Sequence, residues 1–283
     1  MNAIIGFLNY TLSQIFQFLM TPLAQWPLMA LLLVSVITGI ILAVMFRFTS
    51  NQRALGQAAD KSRGELLAIN LFQDELGGVF RSLGRLLKHS AARIGYSIPP
   101  VLVIIVPLLL LLFQLASWYE WRPLPANESA IVEMQINRNA WQAGQHATLV
   151  PHPGWVVEAG PLRDVGQLAV YWRIRPRSGD SVPVAEQMEF EVAGQAVSKR
   201  LAVAGPGPPM FPVNPVRSDL WWEQFLYPLE PGLAGDGPVQ RISVHYPGGS
   251  TPLFGWDLPW WLTFLIVSML AAFAVKPWVG VKF

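Results

Sequence analysis

The sequence predicts an α-helical membrane protein with three transmembrane helices and a cytoplasmic helical hairpin, joined to an extracytoplasmic all-β domain of the β-sandwich kind. Three observations carry this. Only 13% of the 283 residues are charged, about half the share in an ordinary soluble protein. The shortage is local, because residues 1–46, 94–119 and 258–275 contain no Asp, Glu, Lys, Arg or His. Finally, seventeen of the 24 prolines fall in 120–257 and none in 47–93, so the two segments that join the charge-free blocks differ in kind.

Residues 1–22 come first and are charge-free but not uniformly apolar. Ile5, Leu8, Leu12, Ile15, Phe16 and Leu19 recur at helical spacing, while Asn9, Thr11, Ser13, Gln14 and Gln17 are polar and uncharged. That pattern predicts an amphipathic helix lying on the outer leaflet. No basic n-region or short apolar core with a small-residue cleavage site precedes it, so a cleaved signal peptide is not expected.

A bilayer core about 30 Å thick needs roughly 20 apolar residues in a helix. Residues 26–46, 98–118 and 258–275 each supply such a run and are read as the three spans. Residues 47–97, between the first two, hold a helical hairpin, with a first arm near 50–63 and a second near 65–92. In the second arm Leu66, Ile69, Phe72, Leu76, Val79, Phe80, Leu83, Leu86 and Leu87 keep the three-or-four spacing of one apolar face. Arg81, Arg85, Lys88 and Arg93 form a basic face suited to lipid headgroups or an anionic docking partner. Pro99 and Pro100 mark the junction where the hairpin ends and the second span begins, and Pro107 should kink that span.

Orientation follows from charge. Residues 47–93 carry eight basic and four acidic side chains, 120–257 carry ten and fourteen, and the tail 276–283 adds Lys276 and Lys282. The positive-inside rule puts the hairpin and tail in the cytoplasm, with the N-terminus and 120–257 outside an inner membrane. Trp118, Tyr119 and Trp121 after the second span, and Trp256, Trp260 and Trp261 about the start of the third, sit where an outer interface should lie.

Within 120–257, strand-like runs occur at Ala130–Ile136, Ala147–Pro151, Leu168–Arg175, Met188–Val192, Ala196–Val203 and Gln240–Tyr246, separated by Gly/Pro-rich turns. Val170, Trp172 and Ile174 should face one way and Tyr171, Arg173 and Arg175 the other. Six to eight strands in a β-sandwich are expected, with Trp141, Trp155, Trp172, Trp221 and Trp222 in its core and rim.

Little in the chain suggests catalysis. Zero cysteines exclude disulfides, Cys-ligated metals and Cys nucleophiles. His146, His152 and His245 are the one conceivable metal set, and ordinary strand and surface roles account for them better; no metal, cofactor or enzyme activity is expected. A net charge of +2 argues against a nucleic-acid partner beyond contact with a ribosome. The polar groups inside the spans are few: Ser35, Thr38, Gln114, Ser117, Thr263 and Ser268. None is ionisable, which excludes a proton relay or voltage sensor.

The order of an N-out amphipathic lead, first span, basic cytoplasmic hairpin, second span, outside segment, third span and C-in tail resembles the YidC/Oxa1 superfamily of membrane protein insertases, especially its minimal three-span, archaeal-type branch. Ser97-Ile98-Pro99-Pro100-Val101-Leu102-Val103-Ile104-Ile105-Val106-Pro107 looks like the proline-containing start of that family's second span. The likeness covers roughly 26–118 and 256–283. Two features depart from the family pattern: the β-domain lies between the second and third spans, and no arginine lies within the spans. The resemblance implies a scaffold that thins the bilayer locally, with Ser35, Thr38, Gln114, Ser117 and Ser268 as its intramembrane polar groove. Its partners would be membrane lipids and other membrane subunits or nascent membrane proteins. The alternative expectation is a non-catalytic envelope subunit whose β-domain binds a partner protein or lipid-transport component.

Overall fold

A computed structural model describes residues 2–71, 76–126, 128–177, 185–205, 208–253 and 256–280. The chain forms two compact units, one of Met1–Ala30 with Leu110–Trp260 and one of Leu31–Leu109 with Trp261–Phe283. Four helices come first: α1 (Asn2–Met20), α2 (Pro27–Thr49), α3 (Gln52–Leu71) and α4 (Leu76–Tyr119). The sheet region contains β1 (Ala130–Ile136), the single turn α5 (Trp141–Gly144), β2 (Thr148–Leu149), β3 (Trp155–Asp164), β4 (Ala169–Pro176), β5 (Ala185–Val192) and β6 (Gln195–Ala202). It continues with β7 (Val216–Ser218), α6 (Trp221–Leu226), β8 (Val239–Val244), β9 (Thr251–Leu253) and β10 (Trp256–Leu258), and α7 (Trp260–Val279) ends the chain. Among the described residues three helical stretches are long and apolar enough to cross a membrane: α2, Ser82–Tyr119 within α4, and α7.

In the unit built from Leu31–Leu109 and Trp261–Phe283, α2 and α7 approach so closely that a Cβ on Gly39 would stand 2.1 Å from the Ser268 carbonyl oxygen and 2.9 Å from the Ala271 Cβ. Only a glycine allows that contact. Lower down, Phe46 is buried against Ile104 of α4 and Val279 of α7. The hairpin differs from expectation in two ways. Its first arm does not stop near residue 63 but runs through Gly64 to Leu71, and residues 72–75 lie outside the described residues. The apolar spacing over 66–87 is therefore shared between two arms, a pattern one helix and two facing helices produce alike. The second arm and the second span are one helix of 44 residues with Pro99, Pro100 and Pro107 inside it. Each proline removes one ladder hydrogen bond, yet a full break in apolar surroundings would orphan several backbone groups at several kcal/mol each. Continuing the helix is the smaller loss.

In the other unit two antiparallel sheets share one core. The larger has the order β3-β4-β1-β8-β7 and the smaller β2-β5-β6, with a separate β9–β10 ribbon. Alternation explains the pairing: Val132, Met134 and Ile136 of β1 and Val170, Trp172 and Ile174 of β4 are buried, while Arg173 and Arg175 are exposed. Met188, Phe190 and Val192 of β5 close the core from the smaller sheet, and the Trp172 and Phe190 rings meet at 5.4 Å. Among the described residues the two sheets hold eight strands and the ribbon two more, where six to eight are expected. The strand β3 was not expected, because Gly160-Pro161 reads as turn punctuation and an edge strand exposed along almost its whole length shows no alternation. Trp155 and Trp172 lie in the core as expected, but Trp221 and Trp222 on α6 are about half exposed.

Candidate functional site

The most built feature of the chain is a cleft beneath α1, enclosed wholly by the unit that holds the sheets. Helix α1 packs on α6, and its polar stripe turns inward. Asn9 Nδ2 donates to the Gln224 carbonyl at 2.6 Å, and both groups are buried. Ser13 Oγ accepts from Gln114 Nε2 of α4 at 3.0 Å and lies 3.4 Å from the Pro228 carbonyl. The apolar stripe faces out, with Phe7, Ile15, Phe18 and Leu19 exposed. The short helix α6 is inverted in the same way, burying Glu223 and Gln224 and exposing Trp221 and Trp222. Asn9 and Ser13 thus take protein partners rather than the water an interfacial helix would offer them, while Gln14 and Gln17 of the same stripe stay exposed.

The cleft itself has a volume of about 340 Å³. Asn9, Tyr10, Ser13, Gln14 and Gln17 line one side, and Arg200, Asn214 and Glu230 line the other. Behind this second wall is a buried charge network. Lys199 on β6 is fully buried; its Nζ pairs with Glu230 Oε1 and donates to the Asn214 carbonyl at 2.6 Å. Asn214 Nδ2 donates to Glu230 Oε1 at 3.0 Å and to the Val216 carbonyl at 3.1 Å. Glu230 Oε2 accepts the Arg200 backbone N–H at 2.9 Å. Burial pushes the Lys199 ammonium below the ordinary lysine value, and the Glu230 carboxylate beside it pulls back part of the way. Two polar atoms here are unpartnered: the Asn214 Oδ1 in this wall and, nearby in sequence, the Asp219 Oδ1.

The aromatic residues about the second and third spans pack as a cluster. Tyr119 and Trp260 stack at 6.3 Å, Tyr119 Oη donates to the Pro27 carbonyl at 2.9 Å, and Trp260 Nε1 donates to Glu120. Trp118 is buried, Trp121 meets Tyr227 at 5.9 Å, and Trp261 is exposed. The side chain of Trp256 lies outside the described residues.

The residues expected to form an intramembrane polar groove spend their hydrogen bonds locally. Ser35 Oγ donates to the Leu31 carbonyl, Ser268 Oγ to Leu265 and Ser117 Oγ to Gln114, each within its own helix. Gln114 is turned to Ser13, and Thr38 is buried. Gln114 and Ser117 belong to the unit with the sheets, whereas Ser35, Thr38 and Ser268 belong to the other. Of the basic face, Arg85 pairs with Glu65 at 3.7 Å and Lys88 is exposed, while the side chains of Arg81 and Arg93 lie outside the described residues. His146 and His245 are exposed, and His152 stacks on Trp155 at 4.3 Å. Among the described residues no group of three His, Cys, Asp or Glu is placed to hold a metal ion.

Lys199, Arg200, Asn214 and Glu230 are absent from the sequence-based site. A signal for one was present: Val197, Lys199 and Leu201 share the inward parity of β6, and a lysine at an inward position demands a buried partner. Glu230 sits in a proline-bounded loop, where no periodicity points to it. Compared with known proteins, the chain matches no family model, no curated protein and no solved structure.

Proposed function

We propose that the chain is an integral inner-membrane scaffold of the insertase-like kind, a membrane chaperone that assists insertion or assembly of membrane proteins without catalysing a chemical reaction. Its N-terminus and sheet domain lie outside, and its hairpin and C-terminus lie in the cytoplasm. The observation that carries this reading is α4: the second hairpin arm, with Arg85 and Lys88 on it, runs into the second apolar stretch as one 44-residue helix. A partner docked on the hairpin is thereby coupled to the span without an intervening hinge. The inverted helices α1 and α6 add to the case, because amphipathic elements seated at headgroup depth displace lipid and thin the leaflet locally. Depletion followed by quantitative membrane proteomics tests the proposal. Loss of a defined set of membrane proteins is expected; unchanged insertion of every client would overturn it.

A second reading, a non-catalytic envelope subunit whose β-domain binds a partner, is favoured by β3. This edge strand pairs only with β4 among the described residues and leaves Val156, Val157 and Leu162 exposed. Open apolar edges are natural docking strands. Crosslinking through the β-domain should then trap a stable partner, and a chain that crosslinks to nothing would remove this reading.

A further inference from the structure

We propose that the cleft beneath α1 holds the headgroup phosphate of an anionic phospholipid, with the acyl chains passing over the apolar faces of α1 and α6. This goes beyond the scaffold role and rests on that reading only for the seating of α1 and α6 at headgroup depth.

Charge is the first argument. Both Glu230 oxygens are taken, one by Lys199 and Asn214 and the other by the Arg200 backbone N–H. Its negative charge is therefore neutralised inside the wall. Arg200 presents its side chain at the cleft surface, exposed, with no salt-bridge partner among the described residues. The cleft is left with one uncompensated guanidinium, whose fork of N–H donors suits a phosphate. The remaining lining, Gln14, Gln17 and Tyr10, supplies uncharged donors and adds no carboxylate against an anion.

A second, separate observation concerns Asn214. Its Nδ2 is committed to two acceptors, and its Oδ1 is buried in the cleft wall without a donor. A buried acceptor left unmet costs about 1–3 kcal/mol. Phosphatidylglycerol brings its phosphate charge to Arg200 undiminished, whereas the choline of phosphatidylcholine sets a cation against the same guanidinium.

Size and surroundings point the same way. About 340 Å³ lies at the small end of ligand pockets, enough for a headgroup but not for a whole lipid. The exposed apolar residues beside it, Phe7 and Phe18 on α1 and Trp221 and Trp222 on α6, offer a dry track for the chains. Tyr10 lines the cleft and is also exposed, a position that suits an amphipathic ring at headgroup depth.

Native mass spectrometry of the purified, delipidated full chain, titrated with phosphatidylglycerol or phosphatidylcholine, tests this. The expected result is one phosphatidylglycerol retained about tenfold more tightly than phosphatidylcholine, the equivalent of one charge-assisted contact. Arg200→Gln should erase the preference, and Gln17→Glu, which replaces an amide donor at the exposed rim of the cleft by a negative charge, should weaken it even if the first variant folds poorly. Arg138→Gln, at an exposed site outside the cleft, should leave it intact. Equal retention of the two lipids would overturn the proposal, as would a preference that survives Arg200→Gln or that Arg138→Gln removes equally. Displacement of phosphatidylglycerol by micromolar inorganic phosphate would overturn it too, by showing a free-phosphate site instead.

Discussion

The sheets and the long helices bury opposite kinds of side chain. In the sheets, Val132, Met134, Val170, Trp172, Ile174 and Phe190 are inside, and the arginines Arg173 and Arg175 are outside. In α2 and α7 the small hydroxyl residues Ser35, Thr38, Thr263 and Ser268 are inside, while Leu33, Ile37, Ile41, Leu265, Met269 and Leu270 are exposed. Each order is stable only in its own medium, because apolar surface is expelled from water but costs nothing against lipid tails. The division does not follow the two compact units. Helices α1 and α6 belong with the sheets by contact and with the spans by burial order, hiding Asn9, Ser13, Glu223 and Gln224 while exposing Phe18 and Trp221. A single compact unit therefore carries both orders.

The largest effect is expected at the Lys199–Glu230 pair, the most buried ion pair among the described residues. Glu230→Ala leaves the Lys199 ammonium buried at 0% exposure without its counter-ion. Breaking a buried pair by removing one partner costs about 3–5 kcal/mol. Chemical denaturation of the detergent-solubilised chain, followed by the β-sheet circular dichroism signal, should show a loss of that size. The double variant Lys199→Met with Glu230→Leu should recover most of it, since a buried pair replaced by apolar groups is often neutral. A single variant as stable as the wild type would show that water reaches the pair and that the sheet unit does not keep the soluble packing order.

A smaller effect is expected in the helices, where sterics rather than charge decide. Gly39→Val puts side-chain atoms where the Ser268 carbonyl already stands, and overpacking of this kind costs about 1–3 kcal/mol. The melting temperature in detergent should fall accordingly. Gly6→Ala in α1 meets nothing within 4 Å and should be neutral or stabilising by up to about 1 kcal/mol. Equal behaviour of the two variants would mean that α2 and α7 are not in close backbone contact.

Legibility in the sequence followed the same division. Charge-free runs located α2, the membrane-length part of α4, and α7, because an apolar medium tolerates no exceptions that would blur them. Period-2 alternation located β1, β4 and β6 to within a residue or so. Breaks were misread where a local signal was overruled by surroundings. Pro99-Pro100 reads as a helix end in water and is carried inside α4, and β3, exposed along almost its whole length, offers no alternation to read. The cleft was invisible because its parts are remote. Asn9 and Gln224 are 215 positions apart and Ser13 and Gln114 are 101 apart, and no periodicity links residues at such distances. Only the inward parity of Lys199 hinted at it.

The least change is expected at Asp219, and its direction is informative. Burial pushes this carboxyl above its ordinary value, with the nearby Glu223 adding to the shift, against the pull of a backbone N–H and of the Ser218 hydroxyl. A carboxyl raised on folding is protonated more readily in the folded chain than in the unfolded one, so its ionisation works against the fold. That cost is fully present at neutral pH, where both states are ionised. It declines as pH falls through the raised folded value and is gone below the unfolded value near 4. Asp219→Asn should therefore be the more stable form at pH 7, by less than about 1 kcal/mol because the residue is still partly exposed and its electrostatics are screened. Melting curves of both forms at pH 7 and at about pH 4 should show the gap closing at the lower pH. A gap that is unchanged would trace the gain to new amide contacts, and not to the cost of ionising a buried carboxyl beside α6.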